Sequence, residues 1–309
     1  MTLSGLKNMS TVTEFILLGF SYSSNNSTAF FFLLLLCYIL SMIGNILILV
    51  LVITFQRLHT PMYFFLSNLA FLDICFTNAI VPNFLRSFFI EGKIISLTSC
   101  LTQYYIYFLF GATQFFLLAV MSFDRFVAIC RPLHYPTIMH NMLCIELVAG
   151  AYLASFSWSI IPSIVIMRLT FCFKEIDHFF CDSAPLLRNS CSNTEAVQFL
   201  IFISSSLLFL IVLLVTVVSY TKIVQTIFKI DSTTGRKKAF STCSSHAIVM
   251  TLFFGSCIFM YMRPSHSEDL GYDKKVAVLN TVIVPLLNPY IYSLRNQAVQ
   301  EILKGRTEK

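Results

Sequence analysis

A chain of 309 residues in which 57% are hydrophobic and only 12% charged is not a soluble globular domain, which would carry about 25% charged residues. A net charge of +6 spread thinly over that length reflects membrane topology rather than a nucleic-acid footprint. The apolar residues gather in seven runs, at 29–55, 62–81, 97–121, 143–167, 196–220, 239–262 and 276–294. Each is close to the roughly 20 residues a helix needs to cross the hydrocarbon core. Lipid leaves no backbone group free, so a spanning run is a helix or part of a closed barrel, and barrel strands alternate over only about 10 residues. The fold class is all-α: a seven-transmembrane helix bundle with its N-terminus outside and a short amphipathic helix after helix seven. No repeat or long linker divides the chain, so 1–309 is expected to be a single domain, with 1–28 extracellular and 295–309 a cytoplasmic tail.

Residues 1–28 are polar and lack the charged start and apolar stretch of a cleavable signal peptide, so the first helix is expected to do the targeting. Asn8-Met9-Ser10 is a glycosylation sequon and Asn8 the preferred acceptor; Asn25 and Asn26 also head sequons but lie close to the membrane. Asn45 falls inside run one and Asp73 in the middle of run two. A charge there is costly and marks either interhelical bonding or a switch. With Asn288 of run seven, Asn45 and Asp73 form a plausible polar network across three helices. Run three leads into Asp124-Arg125, an adjacent acid and base at a cytoplasmic helix end, where the arginine can swing to another acceptor. Pro82 and Pro162 offer distortions in helices two and four. Run six has no proline. Run seven carries Pro285 and Pro289, four apart, which kink it into a natural hinge. Beyond it, Ala298, Val299, Ile302 and Leu303 line one side of a segment suited to the inner leaflet.

With the N-terminus outside, the cytoplasmic side holds Arg57, Arg125, Arg131, Lys222, Lys229, Arg236, Lys237, Lys238, Arg295, Lys304, Arg306 and Lys309, with only Asp124, Asp231, Glu301 and Glu308 as acids. The outer side holds Lys7, Arg86, Lys93, Arg168, Lys174, Arg188, Arg263, Lys274 and Lys275, a modest basic bias that points inward as the positive-inside rule requires. Cys100, Cys172, Cys181 and Cys191 fall on the oxidising outer side. Four cysteines allow three connectivities, and spacing alone does not choose among them. The other six sit in helices or near the cytosol as reduced packing residues.

Five stretches carry a family resemblance. Asn8-Met9-Ser10 leading into Val12–Phe20, the segment Leu58-His59-Thr60-Pro61-Met62-Tyr63, the end of run three from Met121 to Cys130, Lys238-Ala239-Phe240-Ser241-Thr242-Cys243-Ser244-Ser245-His246, and Pro285 through Asn296 each resemble hallmarks of the vertebrate olfactory receptors. The resemblance runs from about Asn8 to Lys304, and the short outer loops resemble the terrestrial-type class. It implies a rhodopsin-like G-protein-coupled receptor that binds a small volatile odorant, couples to a stimulatory, olfactory-type heterotrimeric G protein, raises cyclic AMP, sits in the plasma membrane among lipids and trafficking helper proteins, and needs no metal or cofactor. It implies disulfides Cys100–Cys181 and Cys172–Cys191, pinning the second outer loop as a lid. It also implies activation roles for Asp73, Asp124, Arg125, Tyr220, Asn288, Pro289 and Tyr292. The chain departs from the family at Phe123 and Phe126 (usually Tyr), Gln114 (usually Glu), Tyr152 (often Trp) and Phe254 (usually Tyr). The loss of a carboxylate at Gln114 weakens any cation site beside Asp73.

The resemblance places the ligand pocket between helices three, five, six and seven near the outer side. Helical spacing then turns Tyr107, Phe108, Gly111 and Ala112 inward on helix three, and Ser204, Ser205 and Leu208 on helix five. Phe254, Cys257, Ile258 and Tyr261 follow on helix six, and Val278, Thr281 and Val282 on helix seven. No acid or base is in this set. Tyr107 stands where amine receptors carry an aspartate and Val282 where visual pigments carry the retinal lysine. A neutral, largely apolar volatile bearing an oxygen or carbonyl is therefore expected, with an acidic ligand reaching Lys274, Lys275 or Arg263 at the rim as the weaker reading. A chemosensory receptor for a metabolite outside the nose is an alternative. A transporter or channel would want inverted repeats or a charged path, and neither is visible. No metal-ligand cluster, nucleophile elbow or phosphate loop supports an enzyme.

Overall fold

The computed structural model describes residues 12–20, 24–89, 92–261, 270–294 and 297–305. Seven helices form the bundle. Helix one is Ser24–Thr54, helix two Pro61–Arg86, helix three Leu97–Cys130, helix four Asn141–Met167, helix five Glu195–Phe228 and helix six Thr233–Tyr261. Helix seven comprises Leu270–Val278, a π-helical turn at Leu279–Ile283, and Val284–Leu294; an eighth, short helix is Gln297–Leu303. Six of the seven are long and apolar enough to span a membrane, and helix six is apolar over the shorter stretch His246–Ile258. Several helices overrun their apolar runs, because backbone hydrogen bonds continue past the lipid until a cap ends them. Pro61 opens helix two at a position whose N–H would go unused. Ser96 caps helix three by accepting from Ser99 N at 3.1 Å. Helix three runs through the bundle and packs on helices two, four and five.

The outer side holds a small sheet of order β2-β1-β3. Strand β1 (Glu14–Leu17) pairs antiparallel with β2 (Lys93–Ser96) and parallel with β3 (Glu175–Ile176). Phe15 and Leu17 turn inward and are buried. Gly19 ends this segment at φ +63, a left-handed conformation that side chains disfavour. The segment before helix one is thus tied to two outer loops. Asn8 lies outside the described residues, and Asn25 and Asn26 fall in the first turn of helix one.

Cys100 is bonded to Cys181 and Cys172 to Cys191, with Cα atoms 5.5 and 5.6 Å apart. In the chain-entropy view the longer loop contributes about 4 kcal/mol. The first bridge fastens the second outer loop to the top of helix three, over the bundle's mouth.

Candidate functional site

A cavity of about 90 Å³ lies in the outer half of the bundle. Helix three supplies Tyr107, Phe108, Gly111, Ala112, Gln114 and Phe115, and helix five supplies Ile201, Ser204, Ser205, Ser206, Leu208 and Phe209. Trp158, Ser159 and Pro162 of helix four, Phe76 of helix two, Phe253 and Cys257 of helix six, and Asn280 of helix seven complete the lining. None of these side chains carries a formal charge. Most of the surface is aromatic or aliphatic, and several of its hydroxyls are already engaged: Ser159 Oγ donates to Ser155 O (2.8 Å) and Ser204 Oγ to Ile201 O (3.0 Å).

The expected inward residues divide. Tyr107, Phe108, Gly111, Ala112, Ser204, Ser205, Leu208 and Cys257 line the cavity. Phe254 does not; it is buried between Phe115 and Phe209, with ring centroids 5.6 and 5.3 Å away. Ile258 is exposed on the outside of the bundle. On helix six the lining residues are Phe253 and Cys257, so the expected stripe holds at Cys257 while Phe253 takes the place of Phe254. Val278 and Val282 pack in the outer aromatic cluster, and Thr281 is buried with its hydroxyl donated to Ala277 O (2.8 Å). Asn280 faces the cavity instead, since the π turn widens the helix and rotates the residues it contains. The side chain of Tyr261 and all of Arg263 lie outside the described residues.

An aromatic roof covers the site. Phe180 packs on Tyr107 at 4.8 Å, and Phe179 stacks on Phe84 at 4.2 Å and on Phe20 at 5.8 Å. Lys274, at the top of helix seven, donates to Gly19 O (2.7 Å) and to Asp177 Oδ1 (2.5 Å), joining the segment before helix one and the second outer loop to the bundle. Its ammonium is committed to the lid. His178 beside it is fully buried; burial foremost, then the Lys274 charge, pushes its imidazole down to about 3, so it is neutral.

Below the cavity Asp73 accepts from Gln114 Nε2 (2.7 Å) at one oxygen and from Asn288 Nδ2 (2.8 Å) at the other. Asn45 is not part of this centre. Its Nδ2 donates to Pro285 O (3.1 Å) and Ser41 O (3.0 Å), so the three-residue network expected from sequence has Gln114 in the place of Asn45.

At the cytoplasmic end Arg125 Nε donates to Asp124 Oδ2 (2.9 Å), and its Nη2 closes on the same oxygen. Tyr135 OH donates to Asp124 Oδ1 (2.7 Å), and burial followed by the Asp124 charge raises the phenol above its ordinary range. Tyr220 reaches not Arg125 but His246, with OH and Nδ1 2.7 Å apart and the rings stacked. Tyr292 lines a small void with Arg125, His246 and Met121. Sequence reasoning assigns His246 no role, although a titratable side chain inside an apolar run is a signal of one. Pro289 lies against Gly44 of helix one, where an added Cβ would sit 2.8 Å from the proline ring.

Comparison with known proteins places this arrangement. The family model described as olfactory receptor matches residues 34–307. The chain belongs to the olfactory receptor family. The receptor is 46% identical to human olfactory receptor 2AP1 over 98% of its own length and 99% of that relative's. It is 46% identical to mouse olfactory receptor 6E1 (98% of each chain) and 44% identical to human olfactory receptor 6C4 (98% and 99%). It is a multi-pass plasma-membrane odorant receptor of the G-protein-coupled class and not an enzyme. Odorants and G proteins are the partners its family implies.

Proposed function

We propose that the receptor binds a small, neutral, mostly apolar volatile bearing an oxygen in the cavity between helices three and five, and that binding activates a stimulatory, olfactory-type G protein to raise cyclic AMP. One observation carries the ligand class: a cavity lined by aromatic and aliphatic side chains with a few polar groups and no formal charge. Such a site selects by shape, with one or two hydrogen bonds setting orientation. The engagement of Lys274 with Asp177 and Gly19 O takes up one of the cations that an acidic ligand would seek at the rim. Tyr107, Phe108, Gly111, Ala112, Ser204, Ser205, Leu208 and Cys257 are the proposed contacts. Burial at about 25 cal/mol per Å² holds a small odorant to affinities of about micromolar.

Signalling follows as a population shift, since a ligand favours the active state only by binding it better. Arg125 leaves Asp124 and, with Tyr220 and Tyr292, frames the G-protein cavity, while Asp73, Asn288 and Pro289 repack at the helix-seven hinge. The test is an odorant panel read by a cyclic-AMP reporter in cells supplied with trafficking helpers. Neutral oxygenated volatiles should evoke responses, and Arg125→Ala should abolish them while surface expression survives. Responses confined to short carboxylic acids would overturn the ligand class, and normal signalling by Arg125→Ala would overturn the coupling role.

A further inference from the structure

The cavity floor carries a polar atom that the bundle leaves unused. Gln114 is 3% exposed and lines the cavity among Phe76, Phe108 and Phe115. Its Nε2 donates to Asp73 Oδ1 at 2.7 Å. Because Asp73 accepts at both oxygens, the carboxamide is held with its NH2 toward Asp73, and its Oε1 is turned away from Asp73. Among the described residues Oε1 accepts no hydrogen bond. Its neighbours around the cavity differ: the hydroxyls of Ser159 and Ser204 are spent on their own helices, and Asn280 Oδ1 accepts from Ser256 behind the lining. Ser205 and Ser206 have no hydroxyl partner among the described residues, but a hydroxyl both donates and accepts, so they do not discriminate between ligand types.

We propose that Gln114 Oε1 is the specificity-determining acceptor of the cavity, and that the ligand is a neutral alcohol or phenol whose O–H donates to it. The inference rests on the reading that this cavity holds the odorant, and it narrows that ligand from any oxygen-bearing volatile to a hydrogen-bond donor. A ketone or methyl ether of the same skeleton fills the same space but sets lone pairs against a lone pair and leaves the amide oxygen buried without a partner. Sites that keep a buried polar group for a donor reject analogues that lack one far more strongly than apolar pockets reject a change of size. Through the same amide, a ligand hydroxyl at Oε1 lies three hydrogen bonds from Asn288 of helix seven, by way of Gln114 and Asp73.

The experiment compares an alcohol, its methyl ether and the matching ketone, built on the carbon skeleton of the most potent panel compound, by cyclic-AMP reporter with surface expression measured in parallel. On the unaltered receptor the alcohol should be about tenfold more potent than either analogue. In Gln114→Met, which keeps the side-chain volume, the three should fall within about threefold of one another. Gln114→Asn withdraws the oxygen by one methylene and should lose the preference too, which keeps the assignment testable if the Met variant fails to reach the surface. Equal potency of the trio on the unaltered receptor removes the Gln114 assignment and leaves the odorant reading standing. So does an alcohol preference that survives both variants. A ketone preference shows the amide reversed, with NH2 to the cavity, and also overturns it. Silence to every neutral compound overturns this inference together with the ligand reading beneath it.

Discussion

The side-chain amide of Asn45 donates to the carbonyl oxygen of Pro285 at 3.1 Å, across the contact between helices one and seven. That carbonyl lies four residues before Pro289, which has no N–H to return to it. Asn45 supplies from the neighbouring helix the hydrogen bond that the proline removed, which is how a kinked membrane helix stays satisfied.

Asn45→Leu should therefore leave a buried carbonyl without a donor and cost about 1–2 kcal/mol. A lowered thermal midpoint of the purified receptor would register it. An unchanged midpoint would mean that the Pro285 carbonyl is served by something other than Asn45.

Gly44 is the companion to this contact. A Cβ there would meet Pro289 Cγ at 2.8 Å and Pro289 Cβ at 3.1 Å, both ring atoms with little freedom to move. Gly44→Ala should push helix seven outward and destabilise the fold by about 1–3 kcal/mol. Gly150, where an added Cβ meets nothing within 4 Å, is the control: Gly150→Ala should be neutral or slightly stabilising. Equal surface display of both variants would show that helices one and seven do not need the close approach.

Lys274 and Asp177 make an asymmetric pair, with side chains 8% and 42% exposed. Removing the acid strands a buried ammonium that retains the Gly19 carbonyl and the face of the Phe20 ring, whereas removing the base releases an aspartate that water can reach. Asp177→Ala should accordingly cost about 1–3 kcal/mol, a buried-pair penalty discounted for the exposed partner, and Lys274→Met about 1 kcal/mol or less. Thermal midpoints of the two variants in the opposite order would refute this account of the lid.

His178 gives the lid a pH dependence. Its folded value is depressed to about 3 from 6.5, so the unfolded chain takes up a proton first as the pH falls. The stability it contributes is complete above about 6.5 and is lost progressively toward 3, reaching a loss of about 2 kcal/mol by pH 5. Asp177, Lys274, Phe179 and Phe180 surround it, and the Lys274 charge adds to burial in holding it neutral. The unaltered receptor should melt lower at pH 5 than at pH 7.4, and His178→Phe should lose most of that difference. A variant that keeps the full difference would assign the acid sensitivity to another group.

The bundle was legible because lipid makes composition binding: seven apolar runs admit few other folds. The inward face of helix three was legible too, since Cys100 fixes the rotation from which Tyr107, Phe108, Gly111 and Ala112 are counted. Helix six offered no such anchor. Apolar residues surround it on every side, so periodicity does not separate Phe253 from Phe254. Helix seven failed for a different reason: the π turn at Leu279–Ile283 places Asn280 where regular spacing puts Thr281. Strand β1 was invisible because four residues carry too little alternation, and its pairing comes from loops far away in sequence. In the sequence Gln114 stands out only through Asp73, and the fold shows that it also faces the cavity.

The contact between Tyr220 and His246 bears on signalling. The 2.7 Å bond and stacked rings tie helix five to helix six while Arg125 is closed on Asp124 and Tyr135 holds that acid's other oxygen. The conformation described is thus one in which the arginine is occupied and helix six is held inward. Replacing His246 by Phe keeps an aromatic ring of similar size but removes the bond, which is worth about 1 kcal/mol net. Lost from this conformation alone, that energy shifts the balance toward an open inner face about fivefold. Ligand-free cyclic AMP should rise by a comparable factor in His246→Phe at matched surface expression, while His246→Phe combined with Arg125→Ala should stay at baseline. Unaltered basal signalling in the single variant would show that the bond is equally strong in both conformations, and a raised baseline in the double variant would take Arg125 out of the coupling step.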